Sequence, residues 1–164
     1  MSLRFGILTL SDRSAKGERP DASGPALADL IRAQGWSVTK QAILPDDESA
    51  IRSALCEWAD SNEVDVILTT GGTGFASRDV TPEATRQVIQ REAPGLAEAM
   101  RAYSLKKTPH AMLSRAVAGI RGQTLIINLP GSPKGAMENL QTILPVLPHA
   151  VQLLIDDPTS EASH

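Results

Sequence analysis

Three stretches of the chain carry residue types that handle phosphate. Gly71-Gly72-Thr73-Gly74 follows an apolar run at 64–70, so consecutive amides with little steric cover can form a concave anion nest at a sheet edge. The glycines alone are a weak signal, since a tight turn also needs them. No Lys-Ser or Lys-Thr follows as in a phosphate loop, and the spacing is not that of a dinucleotide fingerprint. Two acidic stretches, Pro45-Asp46-Asp47 and Arg78-Asp79-Val80-Thr81-Pro82, precede expected helices. Each aspartate taken singly has a structural explanation as a helix cap. Two carboxylates beside a phosphate cradle would instead suit a hard divalent cation such as Mg²⁺, which prefers oxygen ligands and is completed by substrate phosphates. Arg78, Lys106, Lys107, Arg115 and Lys134 are candidate partners for an anionic substrate, with Arg115 and Lys134 favoured by their neighbours in sequence. His110 lacks a readable nucleophile nearby and is not expected to act as a base.

The elements that must position these residues alternate. Short apolar runs at 5–10, 38–44, 64–70 and 124–129 read as strands. Between them lie amphipathic stretches, one opened by Pro25, one with Ile51, Leu55 and Trp58 at helical spacing, one opened by Thr81-Pro82, and one carrying Leu96, Ala99 and Met100. Thr81 is expected to cap its helix with its side chain, and Pro82 to take the first helical position. After Pro130-Gly131-Ser132-Pro133 a helix runs through Met137, Leu140, Ile143 and Leu144, interrupted by Pro145 and Pro148. Strand–helix alternation implies an α/β three-layer sandwich with a mainly parallel sheet covered on both faces. Ligands in such sheets gather beyond the carboxyl ends of the strands, which brings together Ser11-Asp12, Asp46, the loop 71–79 and the segment 130–134. That convergence, rather than any single residue, points to a phosphate-transfer site.

Composition narrows the classes. The 164 residues are 41% hydrophobic, enough for one compact domain, here residues 1–155 followed by a polar tail at 156–164. A net charge of −3 provides no bulk field for nucleic acid or an anionic membrane, so phosphate must be held locally. One cysteine, Cys56, fits a reducing compartment, and the N-terminus shows no signal peptide, so the expected localisation is cytoplasmic. Histidines at 110, 149 and 164 make no short-spaced zinc pair.

The combination of Thr70 to Gly74, Ser77-Arg78-Asp79-Val80-Thr81-Pro82-Glu83-Ala84-Thr85 and Asn128-Leu129-Pro130-Gly131-Ser132-Pro133 resembles the molybdopterin adenylyltransferase family, MogA in bacteria and the G domain of gephyrin and its plant counterparts. Leu8-Thr9-Leu10-Ser11-Asp12, Pro45-Asp46 and the segment from Met112 to Gly122 belong to the same resemblance, which extends to about Leu154. It implies transfer of AMP from Mg-ATP to the terminal phosphate of molybdopterin, with release of pyrophosphate. It also implies a homotrimer and a molybdate-insertase partner. On that resemblance Asp46 and Asp79 are the essential metal-holding pair. Ser11, Asp12, Gly71, Gly72, Thr73, Gly74, Pro130, Gly131 and Ser132 are expected to hold ATP, and Ser104, Lys107, Ser114 and Arg115 to contact molybdopterin. The alternative is a MoaB-like, non-catalytic pterin-binding or scaffold module, although that relative typically lacks both the Pro-Asp after the second strand and the Arg-Asp-Val-Thr-Pro stretch present here.

Overall fold

The computed structural model describes residues 1–158, and the part of the expected tail at 159–164 lies outside them. A six-stranded sheet forms the middle layer in the order β2-β1-β3-β6-β5-β4. β1 (Arg4–Leu10), β2 (Ser37–Leu44), β3 (Val66–Thr70) and β6 (Thr124–Leu129) run parallel. β3 and β6 are buried along their whole length, as expected of strands covered on both faces, whereas edge strand β2 alternates exposed and half-buried residues. The short strands β4 (Arg91–Glu92) and β5 (Ala118–Arg121) extend the sheet antiparallel to their neighbours. Neither was expected from sequence, because two and four residues are too few to display a period.

Helices cover both faces. Leu3, just before β1, and Phe5 and Ile7 of β1 pack with α2 (Ser23–Ala33), α5 (Pro94–Leu105), α6 (Pro133–Ile143) and α7 (Leu147–Leu154). Leu8 and Leu10 face the other way, against α3 (Glu48–Asp60) and α4 (Thr81–Val88). The period-two alternation of one strand thus divides the core in two. The expected three-layer α/β architecture is the one observed. No helix among the described residues is long and apolar enough to cross a membrane.

Strand β1 is followed by the short helix α1 (Asp12–Ala15), α2 and β2 on one side, and the chain then returns past β1 to place β3 on the other. The carboxyl ends of β1 and β3 therefore flank a crevice where the strand order reverses.

Candidate functional site

That crevice is the mouth of a cavity of about 710 Å³, lined by Ser11, Asp46, Gly71, Gly72, Asp79, Gly131 and Ser132 together with the segment 19–23. Its floor is the turn after β3. Gly71 and Gly72 both have positive φ, +104° and +69°. A side chain at Gly71 would collide with the Leu10 carbonyl, and one at Gly72 with the Thr81 hydroxyl. Glycine is therefore required by conformation and by space. The Gly71 N–H is used by Leu129 O at 3.2 Å, whereas among the described residues no internal acceptor takes the N–H groups of Gly72, Thr73 or Gly74.

The acidic residues divide their roles. Asp47 caps α3, accepting the Ala50 N–H at 2.9 Å, which releases Asp46 from that task. Asp46 exchanges hydrogen bonds with Asp12: the Asp12 N–H donates to Asp46 Oδ2 at 3.1 Å, and the Asp46 N–H to Asp12 Oδ1 at 3.0 Å. Asp46 Oδ1 is buried with no hydrogen-bond partner. Burial pushes the Asp46 carboxyl above its ordinary value, and the charges of Asp12 and Asp79 push it further, against the Asp12 N–H. A buried, partnerless acceptor pressed by two like charges is matched by a cation. Among the described residues no group of three or more His, Cys, Asp or Glu side chains is arranged around a common point. Asp46 and Asp79 alone would leave a divalent ion's remaining positions to substrate oxygens and water, the arrangement Mg²⁺ favours.

Asp12 is oriented by Arg78, whose Nε and Nη2 both donate to its carboxylate at 2.9 Å. That fork, with the Asp46 N–H, holds the Asp12 carboxyl below its ordinary value. Asp79 does not cap α4. Its Oδ2 accepts the Ala76 N–H at 3.0 Å within the loop. Thr81 does not cap α4 either, contrary to expectation: no side chain caps this helix, and the Thr81 hydroxyl donates to Gly71 O at 2.9 Å. Pro82 in the first turn lacks one of the donors a cap would satisfy, and the hydroxyl is used to pin the glycine turn.

A second cavity of about 300 Å³ lies across the wall formed by Thr73, Gly74, Pro130 and Ser132. Ser104, Lys107, Ser114, Arg101, Glu138 and Asn139 line it. Ser132 borders both cavities, and its hydroxyl caps α6 by accepting the Gly135 N–H at 3.1 Å. The residues expected to serve one nucleotide are therefore distributed. Ser11, Gly71, Gly72, Gly131 and Ser132 face the larger cavity, while Thr73, Gly74 and Pro130 face the smaller. Asp12 faces neither and is tied to the larger cavity by its hydrogen bonds with Asp46.

Arg115 also faces neither cavity, in contrast to Ser104, Lys107 and Ser114, and it does not present an open cation to ligand. Its Nε donates to Gly74 O at 2.8 Å, Nη2 to Asp79 O at 2.8 Å, and Nη1 to the Glu83 carboxylate at 2.8 and 3.1 Å. Its own N–H reaches Thr73 O at 2.8 Å. Every edge of the guanidinium is occupied, so Arg115 is the clamp of the glycine loop. Lys134 is exposed and borders neither cavity, and Phe75, 69% exposed, supplies no stacking surface to them. Glu83 was missed, though a carboxylate in the first turn of a helix next to a loop rich in carbonyls was the available signal. The segment 19–23 was missed too: Asp21 accepts from the Thr9 hydroxyl at 2.8 Å and the Gly24 N–H at 3.1 Å, and the Ser23 hydroxyl donates to Gly131 O at 2.7 Å.

The fold and these cavities define an α/β protein whose candidate site sits at the topological switch point of its sheet. A family model described as a probable molybdopterin binding domain matches residues 6–149, and the chain belongs to that family. It is 49% identical, over 95% of its own length, to the Drosophila melanogaster protein named molybdenum cofactor synthesis protein cinnamon, yet spans only 26% of that protein. It is 42% identical, over 94% of its length, to a molybdopterin adenylyltransferase of Helicobacter pylori, covering 89% of it. The crystal structure of the molybdopterin biosynthesis enzyme MoaB from Thermus thermophilus superposes with a TM-score of 0.89 at 52% identity, covering 95% of this chain and 98% of that one.

Proposed function

We propose that this chain is a molybdopterin adenylyltransferase of molybdenum cofactor assembly, which moves the AMP group of ATP onto the terminal phosphate of molybdopterin. The observation that carries this reading is the partnerless, buried Asp46 Oδ1 beside the open turn of Gly72 to Gly74, with a second ligand cavity directly across the wall. Kinship with named adenylyltransferases over nearly the full chain supports it.

In the reaction an oxygen of the molybdopterin phosphate bonds to the α-phosphorus of ATP, the bridge to the β-phosphorus breaks, and its electron pair leaves with pyrophosphate. The attacking oxygen is already ionised, so no general base is required and the protein's work is alignment and charge balance. The larger cavity holds ATP, with the free amides of the glycine turn and the Gly131-Ser132 edge against its phosphates. The smaller cavity holds molybdopterin, with Ser104, Lys107 and Ser114 around it. Ser132 stands where the two ligands meet. Asp46 and Asp79 would hold Mg²⁺, which when bound would neutralise the phosphate oxygens on which charge accumulates. Asp12 and Arg78 keep Asp46 aimed, and Arg115 with Glu83 keeps the loop that carries Asp79 in register. The working form is a cytoplasmic homotrimer that delivers its product to a molybdate insertase.

The competing reading is a MoaB-like pterin-binding module without turnover, in which Asp46 and Asp79 only shape their loops. Anaerobic incubation with molybdopterin, ATP and Mg²⁺, followed chromatographically beside Asp46→Ala, separates the two. Adenylylated product from the unmodified protein alone supports the transferase. Pterin binding with no product supports the module.

A further inference from the structure

The smaller cavity contains a charge that the reaction does not use. Glu138 lies on α6 and borders this cavity, half-buried, and no hydrogen bond or ion pair engages its carboxylate among the described residues. Around it the other polar groups answer one another. Asn139 Nδ2 donates to Ser104 Oγ at 2.7 Å, Arg101 Nη1 donates to Ala116 O at 2.9 Å, and Lys107 Nζ lies 5.6 Å from the centre of the Tyr103 ring. A carboxylate is an acceptor and nothing else at neutral pH, so a ligand seated against Glu138 must bring donors.

We propose that Glu138 is the residue that selects the heterocycle of the second substrate, by accepting two parallel hydrogen bonds from an N–H and an adjacent exocyclic amino group. This rests on the pterin reading of the cavity and adds to it the element that distinguishes a 2-amino-4-oxo ring from its deaminated analogue. A pterin presents its N3–H and 2-amino group side by side, spaced for the two oxygens of one carboxylate, and such forks confer direction as well as strength. At about 300 Å³ the cavity is at the small end of ligand sites, suited to a bicyclic ring rather than to a nucleotide. Seating the ring against α6 directs the ligand's phosphate tail back towards Ser132, where the helix begins and the larger cavity opens.

The prediction is a reversal of preference, which a merely structural role would not produce. In Glu138→Gln the amide keeps an acceptor for N3–H but turns a donor against the 2-amino group, whereas a lumazine, with a 2-oxo group, gains a partner. Binding of pterin-6-carboxylate and lumazine-6-carboxylate, followed by their fluorescence, should favour the pterin in the unmodified protein. In Glu138→Gln pterin affinity should fall by roughly tenfold to a hundredfold while lumazine affinity rises. Affinity for Mg-ATP, measured calorimetrically, should not move. An unchanged pterin-to-lumazine ratio in a variant that still binds ATP overturns the assignment of Glu138 and leaves the transferase reading standing. Failure of the unmodified protein to bind any pterin, molybdopterin included, overturns both.

Discussion

The two cavities are separated by a single wall, yet they are built from different materials. The larger is made at strand ends, from a glycine turn, aspartates and the segment 131–133, and its chemistry depends on backbone geometry. The smaller is made mostly from side chains of α5, the 3₁₀ turn Pro109–Leu113 and α6. A parallel sheet delivers its strand ends to one place whatever the side chains are, so the first site is largely a product of topology. The second depends on how three helical elements pack, and its chemistry can be altered with little change to the sheet. Changes in the first cavity should therefore eliminate chemistry, and changes in the second should redirect it.

The sharpest way to break that comparison is at the carboxylates. Asp46→Ala and Asp79→Ala should each lower transfer by about a thousandfold or more, because several kcal/mol of charge stabilisation depend on the cation they are proposed to hold. Pterin binding should be retained. Asp46→Asn should unfold, in the absence of metal, at the same temperature as the unmodified protein or higher. Burial and the charges of Asp12 and Asp79 raise the Asp46 carboxyl's value in the folded state, so at neutral pH the ionised group costs stability that the amide does not. A large drop in the thermal midpoint of Asp46→Asn would return this residue to a structural role.

Next in size is Gly72→Ala. The new methyl group would meet the Thr81 hydroxyl, and would come within 3.1 Å of Asp46 Oδ1, on a backbone with φ of +69°. A cost of about 1–3 kcal/mol in stability is expected, with ATP binding weakened more than pterin binding. Equal loss of both would mean that the turn supports the cavities jointly.

What could be read in the sequence follows the same division. The strand-end loops were legible, because apolar runs ending in Gly-Gly-Thr-Gly or Pro-Asp announce both the strand and its exit. Asp46 and Asp47 could not be told apart, since either can cap a helix; which one caps is decided by the turn the chain makes at Pro45. Thr81 was misread as a cap because local rules do not see the Gly71 carbonyl ten residues away, to which its hydroxyl is committed. Arg115 looked like a ligand for anions because its three acceptors, Gly74 O, Asp79 O and Glu83, lie 32 to 41 positions earlier in the chain. Side chains that act through tertiary contacts leave no period in the sequence, and the second cavity consists mainly of such side chains.

Arg115→Lys tests the wall between the cavities. An ammonium group cannot satisfy two carbonyls and a carboxylate in one plane, so the Gly74 and Asp79 carbonyls lose their shared donor. With the guanidinium partly exposed, the stability loss should be modest, about 1 kcal/mol in chemical denaturation. Its functional signature is a fall in kcat larger than the change in either KM, since the loop carrying Asp79 loosens while both cavities persist. Effects confined to the KM for molybdopterin would instead make Arg115 a ligand for the substrate.

The smallest expected effect concerns pH and the other end of that clamp. The hydrogen bonds from Arg115 hold the Glu83 carboxyl below its ordinary value, outweighing the burial that would raise it. A carboxyl whose folded-state value is lowered contributes stability above its unfolded value, about 4.3 for glutamate, and that contribution disappears as pH falls through the folded value. Asp12, Asp60 and Glu63 are lowered for the same kind of reason, so the acid limb of the unmodified protein is a composite. The difference between the unmodified protein and Glu83→Gln isolates this pair. That difference in thermal midpoint should be greatest near neutrality and close progressively below pH ~4. A difference that persists unchanged into acid would mean that Glu83 contributes by packing alone, and that the two carbonyl bonds of Arg115 suffice to hold the wall.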